Sequence, residues 1–390
     1  MAFSEHLYIH IPFCLSKCSY CDFFSIPCKA SLNSYIYSLC NELKIKLREN
    51  NFSLKTVYVG GGTPSLLLPY QIEQVFSEIK PYLMRDSEIT FEMNPEDASE
   101  LLLKSLCSCG VNRISCGIQS MNQKALEFTG RRANAVGNKR ALELFKAYWH
   151  GFLSLDFISG LPFETEDSLI EGLKLAVDMK PEHISLYSLV LEEETPLGKL
   201  VKSGRLDFDF DFSDKLWFLG RDFLEANGYF QYEISNFSKK GMESIHNSAY
   251  WSRKSYLGCG SGAVQTFYNP SQKTVGTALR FTNTTDIAKY TAFWKDECEL
   301  DYRKIPGNLE EVSYEASVFE FFMMGLRKLK GITKNEFLNS FEKDIPLKII
   351  ELFKKWQKKG IAQIIKEDDD IRYSLTHDGI LFLNAFLEQI

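Results

Sequence analysis

The chain has 390 residues, 45% of them hydrophobic, with 45 basic and 51 acidic side chains and a formal charge of −6 at pH 7. That length can bury one large core plus a smaller one, and the mild acidity gives no global attraction to nucleic acid or anionic lipid. The 10 cysteines in so long a chain do not suggest a disulfide scaffold, and Met1–His6 has neither a basic leader nor an apolar h-region, so a reducing cytoplasm is the expected compartment. The richest apolar run, Ser317–Met324, is far shorter than the roughly 18 residues of a membrane span. Any lipid contact is therefore expected to be peripheral.

In chain order, short β-branched or apolar runs at Leu7–Ile11, Thr56–Val59, Glu88–Glu92, Val111–Cys116, Leu153–Ile158 and His183–Leu189 read as strands. Between them, segments with helical spacing lie at Leu32–Arg48, Pro69–Leu83, Ser99–Cys107, Ala135–Trp149 and Asp167–Met179. Strands separated by helices cannot pair as hairpins. The expected architecture is α/β, a partial (β/α)6 TIM-like barrel over residues 1–200 with parallel strands and right-handed crossovers. Its chemistry should gather at the C-terminal ends of the strands.

From 201 to 305 the pattern changes. Asp207–Phe212 reads as an exposed linker whose phenylalanines pack back, Ser213–Asn227 as a helix and Gly228–Ile234 as a strand. Tyr256–Ala263 is glycine-rich and needs positive φ or close backbone approach. Residues 306–390 show helical runs at Tyr314–Lys328, Thr333–Ser340, Pro346–Lys359 and Thr376–Glu388, with short strands Ile361–Ile365 and Ile371–Leu375 flanking Glu367–Asp370. This suggests a mostly helical, winged-helix-like module. Its acidic wing argues against nucleic-acid binding.

Just past the first strand stands a Cys-x3-Cys-x2-Cys run, Cys14, Cys18 and Cys21. Thiolates are the standard ligands of a [4Fe-4S] cluster, but a closed cluster takes four and this run supplies three, leaving one iron open to a small molecule. The amino and carboxyl groups of S-adenosylmethionine suit that position. Buried thiols or a zinc knuckle are the competing readings, and zinc would ask for a fourth Cys or His where Asp22, Phe23 and Phe24 stand. The second strand ends in Gly60-Gly61-Gly62-Thr63, where a ligand can meet main-chain groups, or which is simply a tight turn. Later strands carry Glu92, Gln119 (followed by Arg131) and Asp156 near their C-terminal ends.

Together these residues resemble the radical S-adenosylmethionine proteins related to oxygen-independent coproporphyrinogen III dehydrogenase. The resemblance implies that Tyr8, the backbone at Tyr20, Gly61, Gly62 and Glu92 hold the cluster-bound S-adenosylmethionine. It also implies that Thr63, Gln119, Arg131 and Asp156 match positions holding a second molecule in the dehydrogenase, and that Val264 matches an adenine contact. The dehydrogenases carry a further Cys two residues after the third, where this chain has Phe23. The chain instead resembles the HemW-type haem-chaperone branch, through Cys21-Asp22-Phe23 and His246-Asn247-Ser-Ala-Tyr250-Trp251. That branch implies haem as cargo, a haem-acceptor apo-protein, an external electron donor, and His246 as a haem ligand; a capping or core histidine is the alternative reading, and His10 is the rival ligand. Where relatives have Gly-Ala-His-Ser, this chain has Gly262-Ala263-Val264-Gln265. Oxidative decarboxylation of coproporphyrinogen III propionates remains the alternative activity. Cys28, Cys40, Cys107, Cys109, Cys116, Cys259 and Cys298 are expected to be buried, unreactive thiols.

Overall fold

The computed structural model describes residues 4–28, 32–50, 53–269 and 274–390; residues 1–3, part of the segment read as leaderless, lie outside them. Six strands pair side by side and in parallel: β1 (His6–Ile11), β2 (Leu54–Gly61), β3 (Leu83–Met93), β4 (Arg113–Gln119), β5 (Phe152–Ser159) and β6 (His183–Ser188). Antiparallel β7 (Asn236–Ser238) extends the sheet beyond β6, and parallel β8 (Leu257–Cys259) extends it beyond β1. The ladder is linear, running from β8 to the short pair Phe230–Gln231.

Side chains along a strand alternate between faces, and each of the six strands uses this alternation. Leu7, Ile9, Val57, Val59, Ile89, Phe91, Ile114, Leu153, Leu155, Ile184 and Leu186 join the helices in one apolar core. The opposite face carries His6, Tyr8 and His10, then Thr56 and Tyr58, Glu88 and Glu92, Ser115, Ser154 and Asp156, His183 and Ser185. Register sets these into rows: His6 opposite Thr56, Tyr8 opposite Tyr58, Glu92 opposite Ser115, and Asp156 between Gly117 and Ser185. A closed eight-stranded barrel fills its interior with branched apolar side chains. Here the concave face is polar, which suits an opening that admits a polar ligand.

Helices lie at Leu32–Asn50, Pro69–Ile79, Glu100–Ser108, Ala135–Tyr148 and Glu166–Asp178. Ser99 caps the third, accepting from the Leu102 N–H, and Thr165 forms a capping box on the fifth. The second ends before the expected Leu83. Pro81 lies in the 3-10 turn Lys80–Tyr82, and Leu83 already opens β3. The aspartate–phenylalanine stretch is a linker only through Asp209, whose carboxylate accepts from the Phe212 N–H and starts the helix Phe210–Ala226, while Phe208 and Phe212 pack back on the body as expected. The expected strand Gly228–Ile234 shrinks to Phe230–Gln231.

A three-stranded antiparallel sheet not anticipated from sequence follows, made of β9 (Val264–Tyr268), β10 (Ala278–Asn283) and β11 (Gly307–Val312). The C-terminal residues gather their own core around Phe322, Phe337, Phe353, Trp356 and Phe386. Helices Tyr314–Gly325, Lys334–Phe341 and Leu347–Lys358 pack there with the hairpin β12 (Ala362–Glu367) and β13 (Asp370–Leu375). The last expected helix is broken into a 3-10 turn, Gly379–Phe382, and Leu383–Leu387. Among the described residues no helix is long and apolar enough to cross a membrane.

Candidate functional site

The loop after β1 is pinned at both ends. Phe13–Cys14 pairs with Ile26–Pro27, the Cys28 N–H donates to the Cys14 carbonyl at 2.8 Å, and the Ser19 N–H donates to the Thr129 carbonyl at 2.9 Å. Cys14, Cys18 and Cys21 are free, half-buried thiols within it. Two of them meet side-chain donors: the Thr63 hydroxyl lies 3.4 Å from Cys14 Sγ and Arg131 Nη1 lies 3.8 Å from Cys18 Sγ. Asn94 closes an arc between these donors. Its Nδ2 reaches Thr63 Oγ1 at 3.3 Å, and its Oδ1 accepts from Arg131 Nη2 at 3.1 Å. Arg131 Nη2 also donates to the Gly117 carbonyl at 2.6 Å.

This donor set fits an iron–sulfur cluster. Hydrogen bonds to the sulfurs stabilise thiolate charge and tune such a centre. Among the described residues no three His, Cys, Asp or Glu side chains converge on one ion position. Cluster thiolates need not converge, since each ligates a separate iron.

Beside the loop, β2 ends in three glycines that close packing requires. A Cβ at Gly60 would stand 2.9 Å from Glu92 Oε2, at Gly61 2.6 Å from His10 Cε1, and at Gly62 2.7 Å from the Phe13 carbonyl oxygen; Gly61 also has φ +117°. Glu92 accepts from the Tyr58 hydroxyl at 2.7 Å and the Gly61 N–H at 3.1 Å. Burial outweighs these two bonds and pushes the Glu92 carboxyl up to about 7. Tyr8 and His10 bond to each other at 2.8 Å, and His10 Nε2 lies 3.1 Å from the Phe24 carbonyl, consistent with the neutral imidazole that burial favours. The turn Gly260–Val264 reaches this rim, where a Cβ on Gly262 would strike the Phe24 ring at 2.5 Å.

The remaining candidates lie deeper or elsewhere. Gln119 takes a left-handed backbone, φ 63°, at a register break between β4 and β5, and its amide stands over Gly117 near Arg131. Asp156 is enclosed by three hydroxyls: Ser115 and Ser185 at 2.6 Å and Ser154 at 3.0 Å. Burial raises its carboxyl above the usual range despite them. Tyr20 packs on a small cluster with Leu161 and Leu197.

His246 lies at the opposite end of the concave face, on the short helix Ile245–Trp251. Its Nδ1 is 2.7 Å from Thr56 Oγ1, its Nε2 3.0 Å from the Tyr250 hydroxyl, and its ring stacks on Tyr58 at 5.1 Å. Glu88 accepts from the backbone N–H groups of Ile245 and His246. Both imidazole nitrogens are thus engaged, and the ring plugs the floor of the sheet, below the thiol loop.

Asn94, Tyr58 and the three serines do not stand out in the sequence. The alternation of polar residues along each strand is the available signal. Of the seven cysteines expected to be buried, only Cys116 and Cys259 are; Cys28, Cys40 and Cys109 are half-buried, and Cys107 and Cys298 are exposed. Each of the exposed pair lies beside a chain turn, Cys107 near the end of the helix Glu100–Ser108 and Cys298 past the helix Ile287–Asp296.

Comparison with known proteins agrees with this geometry. Residues 8–176 match the Radical SAM superfamily. The chain is 32% identical to "Heme chaperone HemW" of Bacillus subtilis, covering 98% of this chain and 99% of that one. It is 31% identical to "Heme chaperone HemW" of Escherichia coli, over 98% and 97%. The structure superposes on Escherichia coli coproporphyrinogen III oxidase (HemN), described as a Radical SAM enzyme, with TM-score 0.77 and 17% identity, covering 99% of this chain and 90% of that one; at that identity the likeness concerns the fold. The polar concave sheet, the three-cysteine loop and these full-length matches lead to one conclusion: the chain belongs to the HemW heme chaperone family of the radical SAM superfamily.

Proposed function

We propose that Cys14, Cys18 and Cys21 hold a [4Fe-4S] cluster, that S-adenosylmethionine binds at its open position, and that the chain carries haem to an acceptor apo-protein, an external donor supplying electrons. The arc Cys14–Thr63–Asn94–Arg131–Cys18 carries the first part, because it aims two donors at two thiols while Asp22, Phe23 and Phe24, directly after Cys21, offer no fourth Cys or His. When bound and reduced, such a cluster supplies one electron to a coordinated sulfonium. Gly61 and Gly62 offer main chain to the ligand's amino acid end, and Glu92 accepts ribose hydroxyls.

Arg131 Nη1 and Nη2 are engaged by Cys18, Asn94 and Gly117, its Nε being without a partner, and the Asp156 carboxylate is engaged by the three serines. We therefore assign them to support of the thiol loop and the sheet interior, and assign one S-adenosylmethionine to the lip. Ligation of haem iron by His246, implied by the family resemblance, would require it to give up Thr56 or Tyr250. Ten free thiols accord with a reducing cytoplasm.

Phe23, 74% exposed, stands where the dehydrogenases carry their further cysteine and favours the chaperone over the decarboxylase. The test loads the anaerobically purified chain with haem and mixes it with apomyoglobin. Transfer followed by the Soret band, with coproporphyrinogen III left unchanged in a parallel assay, supports the reading. Conversion of coproporphyrinogen III to protoporphyrinogen IX overturns it.

A further inference from the structure

Where the helix Ile245–Trp251 ends, the chain enters a pocket of about 380 Å³ between it, β9 and the C-terminal helices. Its walls include Trp251, Tyr268 and Phe321, and its charged groups are Arg253, Lys254, Lys328 and Glu336. The volume lies within the range of small-molecule sites, roughly 300–1,000 Å³.

Three cations share the pocket with one carboxylate, Glu336, which also accepts from the Thr333 N–H at 2.7 Å in a capping box. Lys328 Nζ donates to the Ser252 hydroxyl at 3.2 Å, and the Arg253 guanidinium donates to the Ser317 hydroxyl while its Nε has no partner. Among the described residues none of Arg253, Lys254 and Lys328 forms an ion pair. Arg253 takes a left-handed backbone, φ 49°, that places its guanidinium 4.3 Å from the Tyr268 ring centre and 5.3 Å from that of Phe341. Such a backbone costs free energy in a residue with a side chain. Burial holds both Arg253 and Lys328 below their ordinary basicity. Glu320 and Glu336 offset Arg253 and Lys328 in part, and the cations that remain in excess favour an incoming anion.

Trp251 adds a flat apolar wall, with the Arg327 guanidinium 4.7 Å from its ring and its own indole N–H unpartnered. Ser252 and Lys254 are exposed, so the mouth is open to solvent, as release of a cargo requires.

We infer that this pocket receives the carboxylate edge of a planar, apolar dianion, and, given the reading under "Proposed function" on which this rests, that the dianion is haem held by its two propionates. Arg253, Lys254 and Lys328 supply the cations and Trp251 the flanking surface. The pocket shares no lining residue with the thiol loop.

The test titrates haem and haem dimethyl ester, which lacks both charges, into the anaerobically purified full chain, its Lys254→Glu variant and its Lys254→Glu/Lys328→Glu variant. Circular dichroism and iron content check each fold, and exposed Lys254 gives a variant whose core is untouched. Expected are a loss of affinity of about tenfold or more for the ester on wild type and for haem on the double variant, with a smaller loss for Lys254→Glu; each tenfold is about 1.4 kcal/mol. Equal binding of haem and ester, or unchanged haem affinity in the folded variants, overturns the pocket and leaves the chaperone reading standing. Failure of wild type to bind haem at all overturns that reading itself.

Discussion

Tyr58 joins the two ends of the concave sheet: its hydroxyl donates to Glu92 at the lip, at 2.7 Å, while its ring stacks on His246 at the floor. One strand position thereby ties the ligand side of the sheet to the helix that closes it. Changes at either end should be felt through this contact.

Glu92→Gln separates binding from stability. The folded carboxyl holds its proton to about 7, whereas its ordinary value is 4.5. Between those values the folded chain binds the extra proton, so wild-type stability contributed by this group falls as pH rises from about 4.5 to 7. The variant removes that slope. Urea denaturation of the cluster-free chain should show the glutamine variant gaining stability on wild type from pH 5 to pH 8. The S-adenosylmethionine affinity of the loaded variant should drop about tenfold, the loss of one charge-assisted hydrogen bond.

His246 and its neighbour His6 run the opposite way. Burial pushes them down to about 3 and about 4, from 6.5. The unfolded chain takes up protons below 6.5 that the folded chain refuses, so their contribution is full above 6.5 and is lost as pH falls towards 4. His246→Leu should cost about 1–3 kcal/mol at pH 7, through the orphaned Tyr250 hydroxyl, while Thr56 keeps His6 Nδ1 at 2.9 Å. Denaturation at pH 7 and pH 5 should show a smaller gap at the lower pH.

Thr63→Val removes the donor to Cys14 and leaves the thiols in place. Fewer hydrogen bonds to cluster sulfur make reduction harder. A redox titration followed by electron paramagnetic resonance should give a more negative midpoint at unchanged iron content. Asn94→Leu should act in the same direction, by releasing both Thr63 and Arg131.

Glu42 and Lys46 form a fully buried pair at 2.7 Å. Glu42 also accepts from the Gly260 N–H, Asn283 and Tyr290, and Lys46 donates to the Gly258 carbonyl. The pair thus anchors the helix Leu32–Asn50 to the glycine-rich turn at the ligand rim. Lys46→Met strands the carboxylate and should cost about 3–5 kcal/mol. Glu42→Gln/Lys46→Met should recover part of that loss in thermal unfolding.

The six parallel strands are legible because β-branched runs recur between helical segments, and the thiol loop because its cysteine spacing is dense and falls at a strand end. The concave face is legible in principle: His6-Leu-Tyr-Ile-His10 and Ser154-Leu-Asp156 alternate polar with apolar residues, although the apolar half dominates the strand signal. The site's wiring is not legible, since Asn94 meets Arg131 only through the sheet's register and a turn. His246 resembles a candidate iron ligand in sequence because its partners Thr56 and Tyr58 lie about two hundred residues away. The sheet β9–β11 is hidden by its long connections, and Phe210 reads as part of a linker because the periodicity of its helix begins a few residues later.

Anaerobic reconstitution with iron and sulfide, followed by electron paramagnetic resonance of the reduced chain with and without S-adenosylmethionine, tests the central claim most directly. The account predicts about four irons and four sulfides per chain, and a spectrum that shifts when S-adenosylmethionine is added, with both lost in Cys14→Ser. A chain that takes up no cluster, or one whose cluster spectrum is indifferent to S-adenosylmethionine, would contradict it.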